Sequence, residues 1–220
     1  MNPEIFEGVW SAAPTPLTEK NDIDKASIKR LVKHHLRLGV KGVFLAGSCG
    51  EGPWLTEAQK STLVQETVKA AKGKLGIAVQ VTDNSAVRIL DNINRAKNDG
   101  AEYAVVAAPF FLMHATPNAL WTLYETVLNN SSLPVIFYDR GAHSSVDIPV
   151  SVLKKIYAHT AVVAIKDSSA NPEHMKAALA ARKKRPEMRL LTGDEFDCVG
   201  ALRDGYNGLM LGGAAFNGFM

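Results

Sequence analysis

The chain has few cysteines and no long apolar run. Only Cys49 and Cys198 carry thiols among its 220 residues, too few for a disulfide-held scaffold and typical of a reducing compartment. No apolar stretch is long enough to cross a bilayer, and the beginning, MNPEIFEGVW, lacks the shape of a signal peptide. We therefore expect a soluble cytoplasmic protein with no membrane partner.

The sequence also lacks the usual signals for nucleic acid, metal ions and dinucleotides. Its formal net charge is only +3, and the densest basic cluster, ARKKRP, closes a predicted helix, where cations suit the helix dipole. The six histidines show no metal-ligand spacing. No glycine-rich dinucleotide fingerprint follows the first apolar run. We expect no nucleic-acid partner and no metal.

Eight short apolar runs punctuate the chain. Each is apolar almost throughout, which is typical of strands buried on both faces of a parallel sheet. The runs span residues 8–14, 42–47, 75–81, 103–109, 134–139, 162–167, 189–193 and 208–213. Amphipathic segments separate them, and strand-then-helix repeats of this kind predict stacked β/α units.

Capping signals locate several of the intervening helices. Gly39 stands where a C-terminal cap belongs, and Thr56 and Gln59 have the spacing of a capping box. Prolines that suit a first helical turn are Pro117, Pro149 and Pro172.

Eight such strands predict an α/β fold, a TIM-type (β/α)₈ barrel over residues 1–220 as a single domain. The chain reaches Met220 only seven residues past the eighth run, whereas such barrels typically need about 250 residues. We therefore expect an eighth helix to be absent. The alternatives are a C-terminally truncated chain, which we favour, and an incomplete barrel that leans on a partner.

Active sites of such barrels lie at the carboxyl ends of the strands, and Lys166 ends the sixth run. Burial disfavours the charged form of an amine, and a neutral amine can attack a carbonyl carbon to form a Schiff base. The alternatives are a lysine that extends to the barrel mouth or one paired with a carboxylate such as Asp194.

Polar groups end three other runs. Tyr138 could pass protons to and from a carbinolamine, or simply satisfy its hydroxyl at the core edge. Asp194 and Glu195 could accept hydrogen bonds from substrate hydroxyls, or could open a helix. The turn after the second run is glycine-rich and predicts free amides that suit a carboxylate; its residues are Gly47, Ser48, Cys49 and Gly50.

Taken together, these positions resemble the dihydrodipicolinate synthase / N-acetylneuraminate lyase family of class I, Schiff-base pyruvate aldolases. The likeness runs from GVWSAAPTPL to GLMLGGAAFNG. GSCGEGPWLT is similar to the family's G-[ST]-[ST]-G-E turn, and YDRGAHSSVDIP followed by AIKDSS is similar to its Tyr-to-Lys segment.

The resemblance implies a role for each matching residue. Lys166 forms the Schiff base with a 2-oxo acid, Tyr138 shuttles protons, Ser48 relays them, and the Ser48–Cys49 turn holds the carboxylate. Substrate contacts are also expected at Gly47, Gly50, His143, Asp194, Glu195 and Gly212. No metal or organic cofactor is implied, and a homo-oligomer, a tetramer or dimer, is expected.

Two positions depart from the family's synthases. His143 replaces an arginine that grips the carboxylate of the second substrate, and neutral imidazole cannot form a bidentate fork. Phe111 replaces a tyrosine that a neighbouring subunit supplies, so it is expected at the subunit contact without a hydroxyl.

Three hypotheses follow from these matches and departures. We favour a Schiff-base lyase, an aldolase or dehydratase, acting on pyruvate or a hydroxylated 2-oxo acid. The second is the family's synthase reaction on pyruvate and aspartate semialdehyde, with Arg140 and His143 sharing the arginine's work. The third is a barrel that binds a 2-oxo acid without turning it over.

Overall fold

The computed structural model describes residues 3–111 and 115–217, which form eight strands and seven α-helices. The strands are β1 (Gly8–Ala12), β2 (Gly42–Leu45), β3 (Gly76–Gln80), β4 (Tyr103–Val106), β5 (Val135–Asp139), β6 (Val162–Asp167), β7 (Arg189–Thr192) and β8 (Gly208–Leu211). The helices are α1 (Lys25–Leu38), α2 (Glu57–Ala71), α3 (Ala86–Asn98), α4 (Pro117–Asn130), α5 (Val150–Ala158), α6 (Pro172–Lys184) and α7 (Cys198–Asp204).

All eight strands are parallel and close into a barrel, because β1 pairs with both β2 and β8. The predicted (β/α)₈ architecture is confirmed, with strands that end one to three residues earlier than most of the apolar runs. The chain end, on which the expectation of truncation depends, lies outside the described residues.

Local capping agrees with the sequence at most helix ends. Gly39 ends α1 with a φ of 74°, the left-handed region that favours glycine. Thr56 and Gln59 form the predicted capping box of α2. Pro117 and Pro172 begin their helices, but Pro149 is the N-cap residue of α5 and not its first helical residue.

Two apolar layers enclose the strands. The layer outside the barrel packs the helices onto it, and the inner layer fills the barrel. Aromatic side chains close the amino-terminal end: the Phe6 and Trp10 rings stack at 5.2 Å, and Tyr103 meets Phe6 edge-on at 4.9 Å. The carboxyl end holds the polar residues.

An irregularity in strand pairing decides which side chains meet at that end. Val135 pairs with Val162, but Ile136 pairs with Ala164, so β6 carries one extra residue, Val163. Tyr138 and Lys166 are consequently direct neighbours across the two strands, and both face the barrel interior.

No helix formed by the described residues is both long enough and apolar enough to cross a membrane.

One buried histidine makes stability depend on pH. His35 of α1 is fully buried, and its Nε2 lies 2.8 Å from Ser11 Oγ of β1. Burial, together with the neighbouring His34, lowers the pKa of His35 from 6.5 to about 4. His35 is therefore protonated below pH 6.5 in the unfolded chain but only below about pH 4 in the folded chain. The free energy of unfolding consequently falls as the pH drops from 6.5 to about 4.

We expect His35 alone to reduce the free energy of unfolding by about 2 kcal/mol at pH 5, relative to pH 7.5. Urea unfolding of His35→Gln should show this acid loss removed, since glutamine does not titrate. His159→Gln, at the half-buried C-cap position of α5, is the control and should keep the loss. Equal pH dependence in both variants would contradict the assignment.

Candidate active site

Lys166 lies in the barrel interior at the carboxyl end of β6. Its side chain is only 4% exposed, and its Nζ lies 4.3 Å from the centre of the Tyr138 ring and 4.9 Å from that of Phe44. The expected apolar wall is therefore made of aromatic faces. Among the described residues, no carboxylate lies within ion-pair distance of this ammonium, so the alternative of a pair with Asp194 is not found.

Tyr138 stands beside Lys166 at the end of β5. It is 6% exposed, and its ring meets Phe44 edge-on at 5.9 Å. Burial opposes ionisation of the phenol, but the Lys166 ammonium and hydrogen bonds with Ser168 and Ser48 outweigh burial, so the pKa of Tyr138 is lowered from 10.0. A phenol in this setting can both donate and accept a proton.

The turn after β2 presents unpaired amides. Ala46 and Glu51 both have positive φ, 52° and 54°, which folds the chain back on itself. Within the described residues, the N–H groups of Ser48, Cys49 and Gly50 donate no hydrogen bond. Consecutive free amides can hold a carboxylate, and the anion nest at this turn stays a prediction.

Gly47 and Gly50 are buried at the base of this turn. A Cβ on Gly47 would lie 2.7 Å from the Phe44 ring, and one on Gly50 would lie 2.9 Å from the Ala13 carbonyl oxygen. The two glycines therefore shape the turn through close packing.

A cationic wall follows β5. Arg140 is the N-cap of the 3₁₀ turn Gly141–His143, and both Arg140 and His143 line the cavity. The positive charge of Arg140 acts on the Tyr138 phenol, and no described carboxylate pairs with its guanidinium. An unpaired guanidinium at the cavity favours an anionic group in the ligand.

A second wall carries Asp194 and Glu195, which follow β7 and also line the cavity. Asp194 Oδ1 accepts from the Phe196 amide at 2.9 Å, and Glu195 Oε1 accepts from the Gly213 amide at 2.8 Å. Neither opens a helix, since Asp197 caps α7. Each carboxylate keeps lone pairs for a ligand hydroxyl.

Gly212 lies between two predicted site residues at the end of β8. A Cβ built there would be 2.9 Å from Cys49 Sγ and 3.1 Å from Glu195 Oε1. A larger residue at this position would displace the ends of both side chains.

These walls enclose a cavity of about 380 Å³ at the carboxyl end of the barrel. It is lined by Ser48, Tyr138, Arg140, His143, Ser168, Ala170, Gly193, Asp194, Glu195 and Phe196. Phe111 lies elsewhere: it is 77% exposed and donates its amide to Asn84 Oδ1. The described residues contain no group of three or more His, Cys, Asp or Glu placed to hold a metal.

Sequence reasoning missed Ser168 and Gly193 at this site. Ser168 follows Lys166 by two residues, the strand period that returns a side chain to the same face, so it could have been found. Gly193 had no such signal: a Cβ there would lie 2.0 Å from Ser168 Oγ and 2.9 Å from Lys166 Cε, and this contact crosses two strands.

Comparison with known proteins places this arrangement in a family. The model of the dihydrodipicolinate synthetase family matches residues 5–218. A 4-hydroxy-tetrahydrodipicolinate synthase of Xanthomonas campestris pv. campestris is 27% identical over 205 residues, covering 93% of this chain and 67% of that protein. The chain thus spans about two thirds of the length of this relative.

Solved structures agree in fold. The dihydrodipicolinate synthase from Bacteroides thetaiotaomicron has a TM-score of 0.88 at 27% identity, covering 97% of this chain and 72% of that one. The dihydrodipicolinate synthase from Thermotoga maritima has a TM-score of 0.91 at 23% identity, with coverages of 98% and 73%.

Proposed function

Because the chain belongs to the dihydrodipicolinate synthetase family, whose enzymes are Schiff-base-forming, aldolase-type lyases, we propose that it forms a Schiff base between Lys166 and a 2-oxo acid. The observation that carries this proposal is the Lys166 amine, 4% exposed and held over the Tyr138 ring. The amides of the Ser48–Cys49 turn are free for the carboxylate of that acid.

The chemistry requires a nucleophile and a proton carrier. The neutral Lys166 amine adds to the C2 carbonyl of the 2-oxo acid, and the carbinolamine so formed loses its hydroxyl as water when a proton is supplied. We assign the delivery of that proton to Tyr138, whose pKa is lowered by the Lys166 ammonium and by its interactions with Ser168 and Ser48. The covalent chemistry uses only the chain's own amine, so the proposal includes no metal or organic cofactor.

For the substrate we propose pyruvate or a hydroxylated 2-oxo acid, cleaved or dehydrated after Schiff-base formation. The cavity supports this class because its lining combines an unpaired cation, Arg140, with two carboxylates, Asp194 and Glu195, that can accept hydroxyl hydrogens. His143 adds an imidazole to the cationic side, where it can accept or donate a single hydrogen bond.

The second candidate is the synthase reaction of pyruvate with aspartate semialdehyde. The names of the relatives favour it. His143 stands where the synthases carry an arginine, and the unpaired guanidinium of Arg140, which lines the same cavity, can supply the cation in its place. If the protein turns over pyruvate with aspartate semialdehyde but shows no turnover of hydroxylated 2-oxo acids, the second candidate is selected over the first.

The setting we propose is cytoplasmic and homo-oligomeric, a dimer or tetramer. Phe111 remains the proposed contact residue of the neighbouring subunit. This proposal is supported by other large apolar side chains that are exposed after β2 and β4, since exposed apolar surface is typical of a protein–protein contact. Trp54 is 78% exposed and Phe110 is 37% exposed.

The first test is covalent capture. Incubation with pyruvate, followed by borohydride reduction and peptide mapping by mass spectrometry, should place one adduct on Lys166. Lysines elsewhere should remain unmodified at the same pyruvate concentration. Calorimetric binding of pyruvate to folded protein, with Lys166 unmodified after reduction, would favour the non-catalytic 2-oxo-acid binder.

A further inference from the structure

A buried carboxylate stands directly behind the cavity. Asp139 follows Tyr138 in β5, so its side chain points outward, away from the barrel interior, and it is 2% exposed. Three donors converge on it: Tyr157 Oη at 3.0 Å and His174 Nδ1 at 2.9 Å reach Oδ2, and the Gly141 amide at 3.0 Å reaches Oδ1. The donors come from α5, from α6 and from the turn that carries the cationic wall.

Asp139 links this cluster to both sides of the active site. The bond to the Gly141 amide sets the turn that holds Arg140 and His143 against the cavity. The Asp139 carbonyl oxygen accepts from the Ser168 amide at 2.8 Å, and Ser168 lines the cavity together with Tyr138. The carboxylate therefore connects the helix layer to residues that line the cavity.

Besides its hydrogen bond to Asp139, the Gly141 turn is held by close packing. Gly141 has a φ of +48°, and a Cβ there would lie 2.9 Å from Ser169 Cβ and 3.0 Å from its carbonyl oxygen. The turn is pressed against the loop that follows Lys166, so a change in the Asp139 hydrogen bonds is expected to shift Arg140 within the cavity.

A carboxylate in this place is costly to the fold. Removing a charge from water carries a penalty that well-packed apolar residues would avoid, so a buried charge is weak evidence of a stabilising role. Other charged and titratable groups around it are Asp167 on β6 and Tyr124 on α4, while the exposed Asp147 lies 3.9 Å from His174 Nε2. The three directed donors instead indicate that geometry is what the cluster maintains.

We propose that Asp139, with Tyr157 and His174 as its donors, positions the Arg140–His143 segment to bind a carboxylate at the far end of the 2-oxo acid. Asp139 touches no substrate and is a positioning residue for Arg140. This inference rests on the proposed 2-oxo-acid site, and it assigns that site a preference for substrates that carry a second, distal carboxylate.

Two buried tyrosines provide a matched pair for the test. Tyr157 and Tyr124 both pack edge-on against Phe137, at 5.9 Å and 5.6 Å, and both are about 1% exposed or less. Tyr157 donates to Asp139, whereas Tyr124 donates to the Ala107 carbonyl at 3.3 Å. Phenylalanine at either position removes one hydroxyl from a similar apolar setting, so only Tyr157→Phe changes the cluster.

Affinities for 2-oxoglutarate, which has a distal carboxylate, and for pyruvate, which has none, should be measured by calorimetry. Tyr157→Phe is expected to weaken 2-oxoglutarate binding about 3- to 10-fold, with pyruvate changed less than about 2-fold, since one of three bonds to the carboxylate is lost. Tyr124→Phe should change neither by more than about 2-fold. His174→Leu should weaken 2-oxoglutarate about 10-fold, and His174→Asn, which keeps a donor at the Nδ1 position, should recover most of that loss.

Three outcomes would overturn the inference. The first is that the unsubstituted protein binds 2-oxoglutarate no more tightly than pyruvate. The second is that Tyr157→Phe and Tyr124→Phe change the 2-oxoglutarate affinity equally. The third is that Tyr157→Phe weakens the binding of both ligands to the same extent. If His174→Leu does not fold, the tyrosine pair decides. Reduction with borohydride separates the two claims: a selective loss of 2-oxoglutarate affinity without any adduct on Lys166 would sustain this inference and reject the proposed Schiff-base chemistry.

Discussion

Alanine in place of Lys166 is expected to abolish the pyruvate adduct and to reduce turnover by roughly 10⁴-fold or more, the order of loss that follows removal of a covalent nucleophile. No other amine is positioned to replace it, because Lys166 is the lysine of the described residues that lies in the barrel interior. Peptide mapping after borohydride reduction and a steady-state assay with 2-oxo acids measure the two effects.

Removal of Lys166 should not lower the melting temperature. Lys166 is 4% exposed and, among the described residues, its ammonium has no carboxylate partner, so the desolvation cost that alanine relieves offsets the loss of the contacts with the Tyr138 and Phe44 rings. A loss of activity accompanied by a large drop in melting temperature would instead indicate a structural role.

Lys155→Ala is the control for this variant. Lys155 also lies over an aromatic ring, with Nζ 5.2 Å from the centre of Trp121, but on the exposed side of α5. It should retain both the adduct on Lys166 and full turnover. An adduct that persists in Lys166→Ala, or one that disappears in Lys155→Ala, would reject the assignment of the nucleophile.

Phenylalanine in place of Tyr138 is expected to reduce kcat by about 10²- to 10⁴-fold, the range for loss of a positioned general acid or base. The adduct on Lys166 should still form, more slowly, because the nucleophile remains while the proton carrier is lost. The pH dependence of kcat/KM should contain an ionisation below the ordinary phenol value of 10.0, since the pKa of Tyr138 is lowered, and this ionisation should be absent from Tyr138→Phe.

Tyr103→Phe is the matched control for Tyr138→Phe. Both tyrosines belong to the inner apolar layer and are 6–7% exposed, but Tyr103 packs with Phe6 and Trp10 at the amino-terminal end of the barrel. Its hydroxyl should contribute less than about 2-fold to kcat. Equal losses in the two variants, or an unchanged pH profile in Tyr138→Phe, would remove Tyr138 from the mechanism.

The architecture was predictable because a parallel barrel leaves a strong trace in a sequence. Strands buried on both faces must be apolar throughout, and all eight apolar runs became strands. Caps at Gly39, Thr56 and Gln59 depend on hydrogen bonds within a few residues, which spacing alone reveals. Pro149 was misplaced by one position, since a proline suits both the N-cap and the first helical turn.

The polar ends of the strands were also readable, with limits. Residues ending β5, β6 and β7 were predicted to converge, and Tyr138, Asp194 and Glu195 line one cavity above Lys166. Gly193 and the buried Asp139 cluster were missed. Their contacts join strands or helices that are distant in sequence. The spacing of a glycine or an aspartate along the chain does not predict such a contact.

Local periodicity was enough to predict the eight strands and the end of the barrel at which the candidate residues gather. Lys166 was one candidate among alternatives from its place in an apolar run, and the family resemblance assigned it the role of nucleophile. Which side chains touch one another follows from contacts between strands, which the sequence does not reveal. The extra residue at Val163 shifts the pairing of β5 with β6 so that Tyr138 meets Lys166 directly. A one-residue shift in register turns a side chain to the opposite face of a strand, and that choice depends on packing across the whole barrel.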